Sequence, residues 1–123
     1  MNWLWLFLSL LVTHWIADFV LQTHWQASNK SKNNIALGRH VIVYTAVLGA
    51  VSAVLFDVGL PWVMFVVGNG VLHFATDYGT SRWSSRLYAK QDWHNFFVVI
   101  GFDQLIHQTT LAVTMWFLFN RTL

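Results

Sequence analysis

The sequence predicts an all-α fold, an integral membrane four-helix bundle with both termini on the outer side of the membrane. Hydrophobic residues make up 56% of the 123 residues and charged residues only 10%, whereas a soluble domain carries about 25% charged residues. The mean hydropathy is +0.49. Four apolar segments have the roughly 20 residues that a helix needs to cross the hydrocarbon layer. We expect a single transmembrane domain, residues 1–123.

The four predicted membrane-spanning helices follow one another with short connections. The first lacks the basic region and the cleavage site of a signal peptide, so we expect it to remain a span. Pro61 fits the first turn of the third helix, where a backbone N–H is not needed. The predicted spans are Trp3–Gln22, Leu37–Phe56, Pro61–Gly79 and Phe96–Phe119.

The basic residues predict how the bundle is oriented. The connections after the first and third spans carry bases, whereas residues 57–60 carry none. In a four-span bundle the two basic connections share a side, and the positive-inside rule makes that side cytoplasmic. We therefore expect the chain in the inner (cytoplasmic) membrane of a bacterium. The bases concerned are Lys30, Lys32, Arg39, Arg82, Arg86 and Lys90.

The connection after the third span predicts a short basic interfacial helix between helices three and four. Arg82, Arg86 and Lys90 recur every four residues, and Trp83 and Leu87 lie on a different stripe. This pattern is typical of an amphipathic helix in the headgroup layer, although a solvated loop whose charges only set topology is the alternative. The net charge of +2 suits anionic lipid headgroups, and no nucleic-acid-binding motif is present. We expect membrane lipids, and not nucleic acid, as partners.

Three His/Asp pairs with four-residue spacing lie inside the predicted spans. On a helix this spacing places both side chains on one face, about 6 Å apart. Each ionisable group at membrane depth costs roughly 2.5–3.5 kcal/mol on insertion scales, so such groups indicate function. The predicted topology brings the pairs and His40 into one layer in the cytoplasmic half. The pairs are His14/Asp18, His73/Asp77 and Asp103/His107.

This layer has the chemistry of a metal site. Imidazole and carboxylate suit a divalent ion, with zinc the first choice and manganese, iron or nickel as alternatives. The absence of cysteine excludes thiolate ligands. Seven ligands exceed the needs of one tetrahedral ion, so two ions bridged by an Asp are also predicted, as in two-metal hydrolases. The predicted ligands are His14, Asp18, His40, His73, Asp77, Asp103 and His107.

Two other interpretations of the layer stay open. The Asp residues could orient the His residues in a buried hydrogen-bond network that only stabilises the bundle, as in a non-enzymatic interaction protein. The same groups could also relay protons or a metal ion, because His titrates near neutral pH.

Several strings of the sequence resemble a family of small bacterial and phage membrane proteins that is described only as a domain of unknown function. The specific strings are Asp18-Phe-x-Leu-Gln and Asp103-Gln-x2-His107, joined by Lys30, His40 and His73-x3-Asp77. The resemblance covers nearly the whole chain. It implies that the polar layer is shared by the family, and it implies no particular activity.

These observations favour a membrane-embedded metal-dependent hydrolase that acts on a lipid-linked phosphoester, or a similar substrate, at the cytoplasmic side. Bacterial membrane-bound metal-dependent hydrolases with intramembrane His and Asp are similar in style. An Asp, first of all Asp18, with Asp77 and Asp103 as further candidates, could act as the general base. The substrate headgroup could be held by Arg82, Arg86 or Lys90. The chain could also form a homo-oligomer.

Overall fold

Helices make up almost all of the structure, a computed structural model that describes residues 2–120. This confirms the predicted all-α fold. The first helix passes directly into a π-helical turn at Ile16–Val20, and a short second helix lies in the first basic connection. The helices are α1 Trp3–Trp15, α2 His24–Asn29, α3 Asn34–Leu55, α4 Leu60–Ala89 and α5 Trp93–Phe119.

Short polar side chains define where these helices begin. Thr23 and Gln26 form a reciprocal capping box at the start of α2. The side chain of Asn33 accepts from a backbone N–H of the first turn of α3, and Asp92 does the same for α5. Pro61 lies in the first turn of α4, as predicted.

The prediction of a short, separate interfacial helix is wrong, because α4 runs without a break through the basic segment. Its 30 residues extend from the apolar half through Arg82 and Arg86 to Ala89. Residues 80–89 contain neither Gly nor Pro, so nothing in the sequence ends the helix there. The helix ends instead before Gln91, which has a left-handed φ of 58°.

Three helical segments are long and apolar enough to cross a membrane: Trp3–Val20, Asn34–Leu55 and Trp93–Phe119. The apolar half of α4, predicted as a span, is not among them. Asn69, His73 and Asp77 lower its mean hydropathy. Three such segments indicate that the protein associates with membranes.

The distribution of side chains differs from that in a soluble protein. Large apolar residues point outward, with exposed fractions of 70% for Ile42, 84% for Val54 and 74% for Phe117. Charged side chains such as Asp77, at 1% exposed, lie inside. An exposed apolar surface of this extent is expected where lipid is the solvent.

Packing places the polar residues between the long helices. The most extensive contacts are those of α4 with α5 and with α3, while α1 packs against α3 and α5. One end of the core is apolar, where the rings of Phe56 and Phe119 stack at 4.0 Å. Fully buried members of this apolar end are Leu6, Leu10, Leu48, Phe65 and Leu111. The His and Asp side chains lie next to it.

Candidate metal centre

All seven sequence-predicted ligands are buried, and they come from every long helix. Each is at most 9% exposed. The four-residue spacing aligns the pairs on the inward faces of their helices, and on α5 every buried residue from Val99 to Phe119 follows that spacing. The π-helical turn carries Asp18. The structure thus brings together His14 and Asp18 from the first helical segment, His40 from α3, His73 and Asp77 from α4, and Asp103 and His107 from α5.

Four of these residues form a compact group of ligand atoms, here called the four-atom group: Asp18 Oδ1, His40 Nε2, His73 Nε2 and Asp77 Oδ2. His40 Nε2 lies 3.0 Å from Asp18 Oδ1, 3.1 Å from His73 Nε2 and 3.4 Å from Asp77 Oδ2. His73 Nε2 lies 3.3 Å from Asp18 Oδ1 and 3.6 Å from Asp77 Oδ2. Tetrahedral zinc, with bonds of 2.0–2.2 Å to nitrogen and oxygen, separates its ligand atoms by about 3.3 Å. Five of the six separations in the four-atom group, at 3.0–3.6 Å, are therefore close to those of a tetrahedral metal site.

The chemistry of the two imidazoles also fits a cation at the centre of this group. Two Nε2 atoms 3.1 Å apart repel each other if both carry protons. If only His40 carries one, the bare His73 nitrogen faces carboxylate oxygens at 3.3 and 3.6 Å. The Nδ1 atoms of both rings lack hydrogen-bond partners within residues 2–120, and they would carry the ring protons when the Nε2 atoms bind a metal. A divalent ion accepts all four lone pairs at once, and the group could hold one.

A second set of ligand atoms adjoins the four-atom group and shares Asp18 with it. One ligand atom each from Asp18, Asp103 and His107 lie within 4.8 Å of one another. His107 Nε2 lies 3.1 Å from Asp77 Oδ1 and 3.4 Å from Asp103 Oδ1. Asp103 is the most accessible of these carboxylates, with a side chain 13% exposed.

His14 lies beside the four-atom group, and both of its ring nitrogens have other partners. Nδ1 is 3.2 Å from the Tyr44 hydroxyl, and Nε2 is 2.9 Å from Gln104 Oε1. Nε2 is also 3.5 Å from Asp18 Oδ2. Tyr44 further stacks on the His73 ring at 3.9 Å. The structure thus gives His14 the contacts of a residue that orients the site.

Gln104 connects the two sets of ligands. Its side-chain Nε2 donates to Asp18 Oδ2 at 3.1 Å and to Asp103 Oδ2 at 3.0 Å. The Thr80 hydroxyl donates to the other oxygen of Asp103. Partners of this kind fix the orientation of ligand carboxylates.

Lys30 belongs to the site, although the charge pattern of the sequence indicated only a role in membrane topology. Its Nζ lies 2.9 Å from Asp77 Oδ2, and its side chain is 19% exposed. Burial lowers the pKa of Lys30, but the negative charges of Asp77 and Asp18 outweigh burial and raise it, so the side chain is an ammonium ion. Only its place in the family resemblance could have indicated this role.

A polar cleft of about 520 Å³ leads from the carboxylates to the surface. Lys30 and Lys32 line it, and its outer part reaches the exposed Ser85 and Tyr88. Two lysines and several hydroxyl groups could contact an anion in the cleft, once a cation balances the three carboxylates of the same wall. Its inner wall includes Asp18, Asp77, Thr80, Ser81, Ser84 and Asp103.

The three bases predicted to hold a headgroup lie elsewhere on α4 and at its end. Arg82 donates to Asn34 Oδ1 at 2.8 Å and lies 3.6 Å above the Tyr78 ring. Arg86 and Lys90 are exposed. None of the three is among the residues within positions 2–120 that line the cleft, so their contact with a headgroup stays a prediction.

The fold and the site define a class: a helical, membrane-associated protein with a buried His/Asp cluster that could hold a divalent metal. The chain belongs to the family described as Protein of unknown function (DUF3307), whose sequence model matches residues 6–123. This confirms the predicted resemblance to a family of unknown function. No curated protein and no solved structure matches the chain.

Proposed function

We propose that the protein is a membrane-embedded metal-dependent hydrolase that cleaves a lipid-linked phosphoester. The observation that supports this most directly is a group of four ligand atoms, five of whose six separations are 3.0–3.6 Å, two of its residues lining a cleft that Lys30 and Lys32 also line. Ligands that come from separate helices and face an open cleft are typical of catalytic metal sites.

In this proposal four helices span the membrane, the apolar half of α4 being the fourth. A helix of 30 residues is about 45 Å long, longer than the roughly 30 Å of hydrocarbon. The last turns of α4 would therefore extend past the hydrocarbon and place the cleft at the level of the headgroups. The bases of that end make it the cytoplasmic side of a bacterial inner membrane.

Asp18, His40, His73 and Asp77 would hold the ion, and zinc suits a tetrahedral set of two imidazoles and two carboxylates. A bound divalent ion would supply Lewis acidity toward a phosphoryl oxygen. The ion would also balance buried negative charge, because Lys30 alone cannot neutralise three carboxylates.

The chain's own residues would bind the substrate and position the attacking water. Lys30 and Lys32 line the cleft and would pair with phosphate oxygens. Asp103 is the carboxylate outside the four-atom group, and it also lines the cleft. It would accept a hydrogen bond from the water that attacks phosphorus. The apolar Phe19 and Ile100 in the same wall would contact the lipid part.

The apolar end of the core favours a one-sided site over an ion pathway. On the far side of the His residues the packing includes Leu10, Phe65 and Leu111, all fully buried. Asn69 and Thr114 also lie in this region and bond to each other at 2.8 Å. A continuous pathway would need polar groups or water along its whole length.

The test is a measurement of metal content and phosphatase activity on the detergent-purified chain. We expect about one tightly bound divalent ion per chain and phosphate release from phosphatidic acid micelles, both lost in His73→Ala. His94→Ala is the matched control, because His94 is exposed and outside the cluster. The absence of bound metal in the wild-type chain, or unchanged metal content in His73→Ala, contradicts the proposal.

A further inference from the structure

The cluster holds more ligand atoms than the four-atom group uses. Asp103 and His107 are buried and belong with Asp18 to a second set of possible ligands, and Asp103 lines the cleft together with Asp18. His and Asp side chains buried at this depth require a compensating partner. Thr80 and Gln104 donate hydrogen bonds to Asp103, but within residues 2–120 no lysine or arginine lies at ion-pair distance from its charge.

The two oxygens of Asp18 have different hydrogen-bond partners. Oδ1 lies 3.0 Å from His40 Nε2 and belongs to the four-atom group. Oδ2 lies 3.1 Å from Gln104 Nε2, which lies 3.0 Å from Asp103 Oδ2. A carboxylate with this arrangement can bridge two cations, as in two-metal hydrolases, where the ions are about 3.5–4 Å apart.

The buried charge of the cluster distinguishes the first metal position from the second. The cluster contains three carboxylates, Asp18, Asp77 and Asp103, and one ammonium group, that of Lys30. Histidines that bind a metal are neutral. One divalent ion therefore brings the buried charge to zero, and a second divalent ion alone would leave an excess of two positive charges in a poorly solvated site.

A phosphate group removes that excess. A phosphate monoester carries about two negative charges near neutral pH, and the cleft beside Asp103 is lined by Lys30 and Lys32. The second ion and the phosphate would each lower the cost of burying the other. Such mutual stabilisation is reciprocal by thermodynamic linkage.

We propose that the site binds its second divalent ion at Asp18, Asp103 and His107, and that it does so only together with a phosphate-bearing ligand. This rests on the proposed function, since it assumes that the four-atom group holds the first ion. The ligand class is a phosphate dianion, either the phosphate monoester of a lipid headgroup or free inorganic phosphate. With the second ion bound, Asp103 would be a ligand of that ion and no longer the direct hydrogen-bond acceptor of the attacking water.

The experiment measures Mn²⁺ binding to the metal-free chain in neutral detergent, by equilibrium dialysis and electron paramagnetic resonance. One arm contains no phosphate, one contains inorganic phosphate and one contains phosphatidic acid micelles. We expect about one Mn²⁺ per chain in the first arm. In at least one phosphate arm we expect about two, with the spectrum of a spin-coupled pair, and the arm that responds identifies the source of the phosphate.

The outcomes separate this inference from the proposed function. One ion per chain in all three arms overturns the inference and leaves the proposed function standing. Binding of two ions in the arm without phosphate overturns the proposed coupling between the second ion and phosphate. No bound ion in any arm overturns the proposed function itself, and the inference with it.

Substitutions of Asp103 and His107 test where the second ion binds. Asp103→Asn and His107→Ala should each keep one Mn²⁺ per chain and lose the phosphate-dependent second ion. His94→Ala should bind as the wild type does. Retention of the coupled pair in both Asp103→Asn and His107→Ala would overturn the assignment to these residues, and their retained first ion shows that the chains are folded.

Discussion

Lys30 Nζ lies 2.9 Å from Asp77 Oδ2, the same oxygen that lies 3.4 Å from His40 Nε2 in the four-atom group. The lysine comes from the connection that follows α2, and α2 is held by its capping box. A positive charge is thus fixed on a ligand atom of the candidate metal centre. A like charge so close opposes a divalent ion.

Replacing Lys30 should therefore strengthen metal binding while weakening the binding of phosphate. We expect Lys30→Met to bind Zn²⁺ about tenfold more tightly, which corresponds to about 1.4 kcal/mol. Isothermal titration of the metal-free chain measures this, and a parallel titration with inorganic phosphate should show weaker binding. Arg39→Met is the control, because Arg39 is exposed and is not among the residues that line the cleft. Weaker Zn²⁺ binding in Lys30→Met would show that the lysine supports the ion.

The sequence predicted which residues form the polar layer, but not which of them bind together. Four-residue spacing places His73 and Asp77 on one face, and the structure confirms that both are buried. The two residues of that pair are nevertheless 3.6 Å apart, whereas contacts between helices are shorter, such as the 3.1 Å from His107 to Asp77. Spacing within a helix does not determine how neighbouring helices are rotated, so the grouping across helices could not be derived from it.

The sequence pattern also did not predict that α4 continues as one helix through the basic segment. The change from apolar to basic residues near Gly79 indicated a boundary, yet α4 continues because residues 80–89 are compatible with a helix. The contact of Lys30 with Asp77 was not predicted for a related reason. A lysine in a connection is usually solvated, and only the fold of α2 brings it to Asp77.

Gln104 should be required for metal affinity although it is not an expected ligand. Its amide orients Asp18 and Asp103, and its carbonyl oxygen lies 2.9 Å from His14 Nε2. Removal of such a partner typically lowers metal affinity 10- to 100-fold. We expect a loss in this range for Gln104→Leu, measured by Zn²⁺ titration. Gln108→Leu is a matched control, since Gln108 is exposed on the same helix. Equal affinities in the two variants would exclude an orienting role for Gln104.

Removal of the metal should destabilise the folded chain. A ligand that binds only the folded state stabilises it by about 2.7 kcal/mol when its free concentration is 100 times Kd. Thermal unfolding followed by circular dichroism in detergent should thus show a higher midpoint with Zn²⁺ than with a chelator. His40→Ala should lose this difference, because His40 is in the four-atom group. The same Zn²⁺-dependent shift in His40→Ala would indicate that the metal binds elsewhere.

Close contact between α3 and α4 at Gly70 should be essential for packing the polar layer. A Cβ at Gly70 would lie 2.6 Å from Thr45 Oγ1 and 3.2 Å from Thr45 Cγ2. The hydroxyl of Thr45 donates to the Val41 carbonyl at 2.7 Å, so the side chain cannot turn away without losing that bond. We expect Gly70→Ala to destabilise the fold by about 1–3 kcal/mol, the usual cost of overpacking.

Gly68→Ala provides the comparison for this prediction on the same helix. A Cβ at Gly68 meets no atom within 4 Å, and alanine has the higher helix propensity. Gly68→Ala should therefore unfold at the wild-type midpoint or above it in a detergent titration, whereas Gly70→Ala should unfold below it. His73 lies less than one turn from Gly70, so Gly70→Ala should also lower Zn²⁺ affinity. Equal midpoints for the two variants would show that α3 and α4 can separate at this position without cost.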